Sequence, residues 1–203
     1  MNNEIVLTKK LADAYAQIEE LKKLVFVNTV THMPNRRALD ARLETISKYE
    51  RHGTFQALYF DFDNFRHINK TYGHSAADDC LREVSEAVQG LLRHDAELYH
   101  TNGDEFIVII QTRLEDLVDQ LTVARTIAER VRSKIASGTW TERKIKLSSS
   151  IGLTTGTFNE DLHNMLDRAE EMMRESKQNG RNQVTPCNLF EQLSALQVRD
   201  AIG

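Results

Sequence analysis

Four acidic residues stand beside runs of sequence that are too apolar to lie at a protein surface. Asp61 and Asp63 close the run FQALYFDFD, while Asp104 and Glu105 begin the run DEFIVII. Such runs predict buried strands, and a carboxylate on a buried strand needs a cation or a hydrogen-bond donor as its partner. If the two strands are neighbours, Asp61 and Asp104 meet at one edge of the sheet. Carboxylates there suit Mg²⁺ and metal-assisted phosphoryl or nucleotidyl transfer.

The same acids also have structural interpretations. Asn102-Gly103 between two apolar runs predicts a tight hairpin, because both residues accept positive φ, and the acids beyond it could mark its solvated end. Asp63 stands where an N-cap is expected for a helix over residues 64–70. On spacing alone, a metal site and a solvated acidic rim are equally compatible with the sequence.

Composition and charge limit the classes of function. The chain has 203 residues, 40% hydrophobic and 28% charged, with a formal net charge of −4. These values indicate a globular protein with no overall attraction to nucleic acid or to acidic membranes. Cys80 and Cys187 form no CxxC pair, which favours a reducing compartment, and no signal peptide or long apolar run is present. We therefore expect a cytoplasmic protein with no nucleic-acid or membrane partner.

Residues 4–27 predict a single helix with a heptad seam. Apolar residues recur at alternating steps of four and three, namely Leu7, Leu11, Ala14, Ile18, Leu21 and Val25. So narrow a stripe favours a parallel two-chain coiled coil, and packing of the helix on its own domain is the alternative.

Beyond this helix, helical and strand patterns alternate. We expect helices over 35–51, 64–70, 75–93, 115–137 and 160–178, and strands over 55–62, 97–101, 104–111, 145–155 and 182–184. The pattern predicts an α/β protein of the α+β sandwich type, with a central, mostly antiparallel sheet flanked by helices. Three parts are predicted: a dimerising or signalling helix (1–27), a globular domain (28–185) and a tail, expected to be helical (186–203).

Several ordered motifs resemble the GGDEF-domain diguanylate cyclase family. NGDEF (102–106) is similar to the signature, and FDFDNFRHINKTYGHSAADDCL (60–81) to the nucleotide-binding segment. Residues 30–39, 148–155 and 176–184 resemble the family's N-terminal turn, a later strand, and the closing helix and strand. The resemblance covers about residues 28–185. It implies a palm-like sheet of the nucleotidyl-cyclase type and the condensation of two GTP into cyclic di-GMP.

The resemblance also implies roles for individual residues. Mg²⁺, with Mn²⁺ as an alternative, would be held by Asp61, Asp104 and the backbone carbonyl of Phe62. Asp104 would also accept the proton of the attacking 3′-hydroxyl, while Glu105 would support the metal and Arg66 the pentavalent phosphate. Asn69 and Asp78 would contact the guanine, and Lys177 and Arg181 would contact the phosphates. Gly103 of the NGDEF signature and His74 of the Tyr-Gly-His segment complete the implied substrate-binding set.

The sequence departs from the family pattern at four places. Asn102 replaces the first Gly of the signature. Asn28 stands where an Asp is expected and His100 where an Arg is expected, so both charges of the pair that would anchor the N-terminal turn are missing together. In the upstream product-inhibition motif Arg93 is present, but Ala96 replaces the expected Asp.

These departures leave two functions open. One is catalysis across a homodimer formed by the first helix and controlled by an upstream sensor domain or partner. The other is a degenerate, non-catalytic domain that binds GTP or a partner protein as a regulator.

Overall fold

The computed structural model describes residues 2–49, 54–112, 117–157 and 160–188. The elements in chain order are α1 (Asn2–Phe26), α2 (Arg36–Tyr49), β1 (Thr54–Phe62), α3 (Phe65–Tyr72), α4 (His74–Gln89), β2 (Ala96–Asn102), β3 (Glu105–Thr112), α5 (Leu117–Ser137), β4 (Ser149–Thr157), α6 (Leu162–Gln178) and β5 (Val184–Pro186).

The five strands form one sheet in the order β2-β3-β1-β4-β5. The β1–β3, β1–β4 and β2–β3 pairs are antiparallel, and β4–β5 is parallel. The predicted mostly antiparallel sheet flanked by helices is therefore confirmed. β1 lies at the centre, and all of its residues after Thr54 are buried, which explains its almost continuous apolar sequence.

Helices cover both faces of the sheet, and each face has its own apolar core. One core contains Phe60, Phe62 and Phe106 with residues of α4 and α5. The other contains Tyr59 and Ile107 with residues of α2 and α6. Because β1 contributes to both cores, the position of its C-terminal end is fixed from both sides.

The hairpin differs from its prediction by one residue. β2 extends to Asn102, which pairs with Glu105, and the two loop residues are Gly103 and Asp104. Gly103 has φ of 49°, whereas Asn102 is not among the left-handed residues of the described chain. The expected Asn-Gly turn is therefore wrong, and Gly at the first loop position is typical of a type II′ turn. The register shifts between His100 and Asn102, and this irregularity moves the turn towards Asp104.

The later strands also begin after their predicted positions. β4 starts at Ser149 and not at residue 145, because Ile145 instead pairs with Trp140 in an isolated bridge. The backbone of Thr141 and Lys144 is in the left-handed region. The buried indole of Trp140 donates to the carbonyl of Ile135. β5 covers Val184–Pro186, so Pro186 belongs to the sheet and not to a helical tail. The remainder of the predicted tail helix, 189–203, lies outside the described residues.

α1 is exposed from Val6 to Phe26. The described residues of the predicted seam are all solvent-accessible, from Val25 at 37% to Leu7 at 69%. The globular part of this chain therefore does not cover the stripe, contrary to the alternative of packing on its own domain. Among the described helices, α1 included, none combines the length and the apolar character needed to cross a membrane.

Gly152 allows α6 to approach β4 closely. A Cβ at this position would lie 1.9 Å from the carbonyl oxygen of Ala169 and 2.4 Å from the amide nitrogen of Met173. Both are backbone atoms of α6, which cannot move away as the end of a flexible side chain could.

We expect Gly152→Ala to lower the free energy of unfolding by about 2 kcal/mol or more, as overpacking of a core contact does. Urea denaturation followed by circular dichroism measures this change. Gly90→Ala is the matched control, because a Cβ there would meet atoms no closer than 3.5 Å in a right-handed backbone. An unchanged midpoint for Gly152→Ala would show that the helix is not held at this distance.

Candidate active site

The end of β1 and the β2–β3 turn bring two carboxylates together. Asp61 is only 6% exposed and pairs with Glu105 across the β1–β3 ladder. The amide of Phe62 donates to the carbonyl of Asp104 at 3.4 Å, which holds the turn against the end of β1. The expectation that the two acidic strand ends are neighbours is therefore met, because β3 lies directly beside β1.

Burial makes it costly to ionise both carboxylates. Burial raises the pKa of Asp61 to about 6, and the neighbouring Asp104 adds to this rise, while the ammonium of Lys177 opposes it. Burial also raises the pKa of Asp104. Raised pKa values of neighbouring acids in a cleft are typical of sites that bind a cation or transfer a proton.

Lys177 of α6 is the cation closest to this pair among the described residues. Its Nζ lies 2.7 Å from Oδ1 of Asp61. Because each carboxylate oxygen has more than one lone pair, this contact leaves the carboxylate able to bind a further cation. The carboxylates of Asp61 and Asp104 and the carbonyl of Phe62, which ends the same strand, suit Mg²⁺ or Mn²⁺.

The donor set is small. Among the residues that the structure describes, no cluster of three or more His, Cys, Asp or Glu side chains could hold a metal. Two carboxylates and one carbonyl fit Mg²⁺ nevertheless, because this ion usually keeps several waters and takes further oxygens from a phosphate substrate.

Asp63 does not cap α3, contrary to its prediction. The residue before α3 is Asn64, which is left-handed and makes no side-chain cap. The buried carboxylate of Asp63 instead accepts hydrogen bonds from Ser148 Oγ at 2.6 Å, Ser150 Oγ at 2.7 Å and the amide of Asn182 at 3.0 Å. It therefore ties the end of β1 to β4 and to the turn that follows α6.

That turn positions Arg181. Gly180, Arg181 and Asn182 have φ values of 110°, 64° and 46°. Asp63 binds the amide of Asn182, and Arg132 of α5 donates to the side-chain oxygen of Asn182 at 3.0 Å. The sequence NGRN contains the signal for this turn, since Asn and Gly accept left-handed backbone.

A cleft of about 360 Å³ adjoins the carboxylate of Asp104 and is lined by Phe65, Arg66, Asn69, Lys70, His74 and Asp104. The structure thus brings four of the predicted site residues to one cleft: Arg66, Asn69, His74 and Asp104. Asp78 lies four residues after His74 on α4, so the two share one side of the helix, and it is half-buried. Lys70 was not predicted, although its position four residues after Arg66 on the same helix could have indicated it.

Glu105 has a partner that the sequence analysis missed. The hydroxyl of Tyr59 donates to Oε2 of Glu105 at 3.0 Å. Burial raises the pKa of Tyr59, and the charge of Glu105 raises it further, so Tyr59 stays protonated and remains a donor. Its position two residues before Asp61 places both side chains on one face of β1 and is the signal that could have found it.

The remaining predicted positions lie at the two opposite ends of the β2–β3 hairpin. Gly103 and Asn102 are exposed, and a Cβ at Gly103 would meet no atom within 4 Å. Arg93 is exposed, with Nε 3.9 Å from Asp95, while Ala96 is buried at the start of β2. Asp95 thus contacts Arg93 only at long range.

Comparisons with known proteins agree with the fold. A family model for "Diguanylate cyclase, GGDEF domain" matches residues 25–183. The chain therefore belongs to the GGDEF-domain family. It is 32% identical over 188 residues to diguanylate cyclase A of Treponema denticola, covering 91% of this chain and 46% of that protein. It thus spans about half the length of this curated relative.

Solved structures share the fold. The coiled coil and GGDEF domain of DgcB from Caulobacter crescentus, in complex with c-di-GMP, superpose with a TM-score of 0.73 at 24% identity, covering 89% of this chain and 99% of that one. The diguanylate cyclase SiaD of Pseudomonas aeruginosa, in complex with its activator SiaC, gives a TM-score of 0.71 at 25% identity, covering 91% and 72%. The first of these includes a helix before the domain, as this chain does.

We expect metal binding to depend on pH through the two carboxyl groups. The pKa of Asp61 is raised to about 6. Its ionisation therefore destabilises the folded protein as pH rises through that value. A divalent cation offsets this cost, but it does so only when the carboxylates are ionised. Binding of Mn²⁺, followed by the electron paramagnetic resonance of the free ion, should strengthen between about pH 5 and about pH 8.

Asp61→Asn should weaken this binding roughly tenfold or more, on the scale of metal-site substitutions. Asp79→Asn is the control, since Asp79 is an exposed acid of α4 that pairs with Arg82. Equal Mn²⁺ affinity at the two pH values would contradict the assignment of the site. Equal Mn²⁺ affinity in Asp61→Asn and in the wild-type protein would contradict it as well.

Proposed function

We propose that the chain is a diguanylate cyclase that condenses two GTP into cyclic di-GMP and releases two pyrophosphates. The observation that carries this proposal is the meeting of Asp61 and Asp104, both with raised pKa values, beside a cleft lined by Arg66 and Asn69. Membership of the family supports the same reaction, as does the name of the Treponema denticola relative.

The proposed roles assign the two ends of the nucleotide to different elements. Asn69 of α3 and Asp78 of α4 bind the guanine edge, where a carboxylate can accept from both N1–H and the exocyclic amine. Gly103, which has open space above it, lets the base approach the turn, and His74 lines the same cleft. Lys177, Arg181 and Arg66 supply positive charge for the phosphates.

Asp104 accepts the proton of the attacking 3′-hydroxyl. Its raised pKa suits this role, because a general base works best when its pKa lies near the working pH. Glu105, held by Tyr59, adds negative charge beside the metal ligands Asp61, Asp104 and the carbonyl of Phe62. A bound Mg²⁺ would acidify the hydroxyl and neutralise phosphate charge.

Two domains are needed, because each GTP must attack the other. We propose that α1 pairs with α1 of a second chain in a parallel coiled coil, which raises the effective concentration of the second half-site. The exposed heptad stripe supports this pairing, and so does the coiled coil that precedes the GGDEF domain of DgcB. A sensor domain or partner that acts on α1 would then control whether the half-sites meet.

The decisive experiment is incubation of purified protein with GTP and Mg²⁺, with cyclic di-GMP quantified by chromatography. Asp104→Asn should keep the fold and lower the rate by about 10³-fold or more, because it removes a metal ligand and a base together. Asp79→Asn should retain the wild-type rate. GTP binding without product in the wild-type chain would instead favour the non-catalytic regulator.

Dimerisation through α1 has its own test. Leu11→Glu with Ile18→Glu places charge in the seam and should shift the protein towards monomer in sedimentation experiments. The rate per chain should then fall most at low protein concentration, since two separate domains must meet by diffusion. Ala12→Glu with Ala16→Glu, which adds the same two charges outside the seam, is the control. A concentration-independent rate in the Leu11→Glu, Ile18→Glu variant would rule out this role for α1.

A further inference from the structure

His100 is buried under the β2–β3 turn and makes contacts in several directions. It is 2% exposed, and its ring stacks on Phe106 with centroids 4.2 Å apart. Nε2 lies 2.8 Å from the carbonyl oxygen of Gly103, and Nδ1 lies 2.9 Å from Oγ1 of Thr31. Its backbone amide donates to the carbonyl of Pro34 at 2.8 Å. One residue of β2 therefore contacts both the hairpin turn and the segment that follows α1.

These partners determine where the ring carries its proton. A carbonyl oxygen can only accept, so Nε2 must hold the hydrogen that is donated to Gly103. In the neutral ring Nδ1 is then an acceptor, and the Thr31 hydroxyl donates to it. Burial lowers the pKa of His100, although the bond to Gly103 opposes this, and the groups that contact the ring carry no charge. The neutral Nε2–H tautomer satisfies every contact.

Thr31 belongs to a turn that closes the C-terminal end of α1. Asn28 Oδ1 accepts from the amides of Val30 at 2.9 Å and Thr31 at 3.1 Å. Asn35 Nδ2 donates to the carbonyls of Val25 at 2.9 Å and Val27 at 3.3 Å. The position of Thr31 is thus fixed relative to the end of α1.

At its other end, this series of hydrogen bonds reaches Asp104, the proposed general base. The carbonyl of Gly103 and the amide of Asp104 belong to one planar peptide group. A hydrogen bond that fixes the orientation of this plane also limits the direction in which Asp104 leaves the turn. Gly103 has φ of 49° in open space, so neighbouring side chains do not restrain the turn at that point.

We propose that His100 is a positioning residue that couples the end of α1 to Asp104, through the Thr31 hydroxyl on one side and the Gly103 carbonyl on the other. The proposal rests on the proposed function, and it identifies a route by which a movement of α1 reaches the catalytic turn. It also accounts for how the N-terminal turn is anchored without the Asp expected at position 28 and the Arg expected at position 100. The link here is uncharged throughout.

Thr31→Val and Thr31→Ser test the coupling as a matched pair. Val keeps the shape of Thr but removes the hydroxyl, whereas Ser keeps the hydroxyl. Thr31→Val should lower kcat by roughly fivefold to tenfold, the size of one lost hydrogen bond, and leave the KM for GTP almost unchanged because no proposed GTP contact is altered. Thr31→Ser should retain most of the wild-type kcat.

Two measurements are independent of activity. Hydrogen–deuterium exchange of residues 100–106 should accelerate in Thr31→Val and not in Thr31→Ser. Nitrogen-15 NMR of the wild-type imidazole should show the Nε2–H tautomer of His100, and this measurement needs no variant. Three results would each overturn the proposal. One is an Nδ1–H tautomer of His100, and another is unchanged exchange and unchanged kcat in Thr31→Val. The third is an equal loss of kcat in Thr31→Val and Thr31→Ser. If the wild-type chain made no cyclic di-GMP, the proposed function would fail while exchange and tautomer still tested the coupling.

Discussion

The ion pair between Lys177 and Asp61 balances only part of the negative charge at the end of β1. Two carboxylates lie there in a partly dry site, with one ammonium near them. Raising the pKa of Asp61 from 3.8 to about 6 corresponds to roughly 3 kcal/mol of disfavoured ionisation. That cost is a large fraction of the net stability of a domain. A site with this cost gains most from a ligand that brings additional positive charge.

A metal-bound nucleotide fits this requirement because it permits an exchange of partners. A divalent cation would take over the charge of Asp61, while the phosphates would provide new partners for Lys177. A low-dielectric site disfavours a buried, unpaired charge most. After this exchange, neither Asp61 nor Lys177 would be left in that state. Lys177 would thus act first as the counter-ion of the acid and then as a phosphate ligand, so its predicted role and its observed contact are compatible.

The framework that holds this site could be predicted only in part. The apolar runs predicted the buried strands, because the hydrophobic pattern is a local property of the sequence. The acids at the ends of these runs predicted that Asp61 and Asp104 meet only on the condition that the two strands are neighbours. The register shift near Thr101 could not be predicted, and it moved the turn from Asn102-Gly103 to Gly103-Asp104. Local propensity likewise favoured Asp63 as a helix cap, whereas tertiary contacts with two serines and a distant backbone amide determined its place.

The departures at positions 28 and 100 illustrate why paired changes must be interpreted together. A buried Arg at position 100 beside a neutral Asn28 would leave a cation without a counter-charge, and an Asp at position 28 near a neutral His100 would leave an anion in the same position. With Asn and His, the turn satisfies its amides through Asn28 and its link to Gly103 through His100, and no charge is buried. Hydrogen bonds between neutral groups can replace an ion pair when every donor and acceptor is matched, as they are around this ring. These two departures therefore form one consistent substitution of a neutral link for a charged one, and they give no physical reason to regard the site as degenerate.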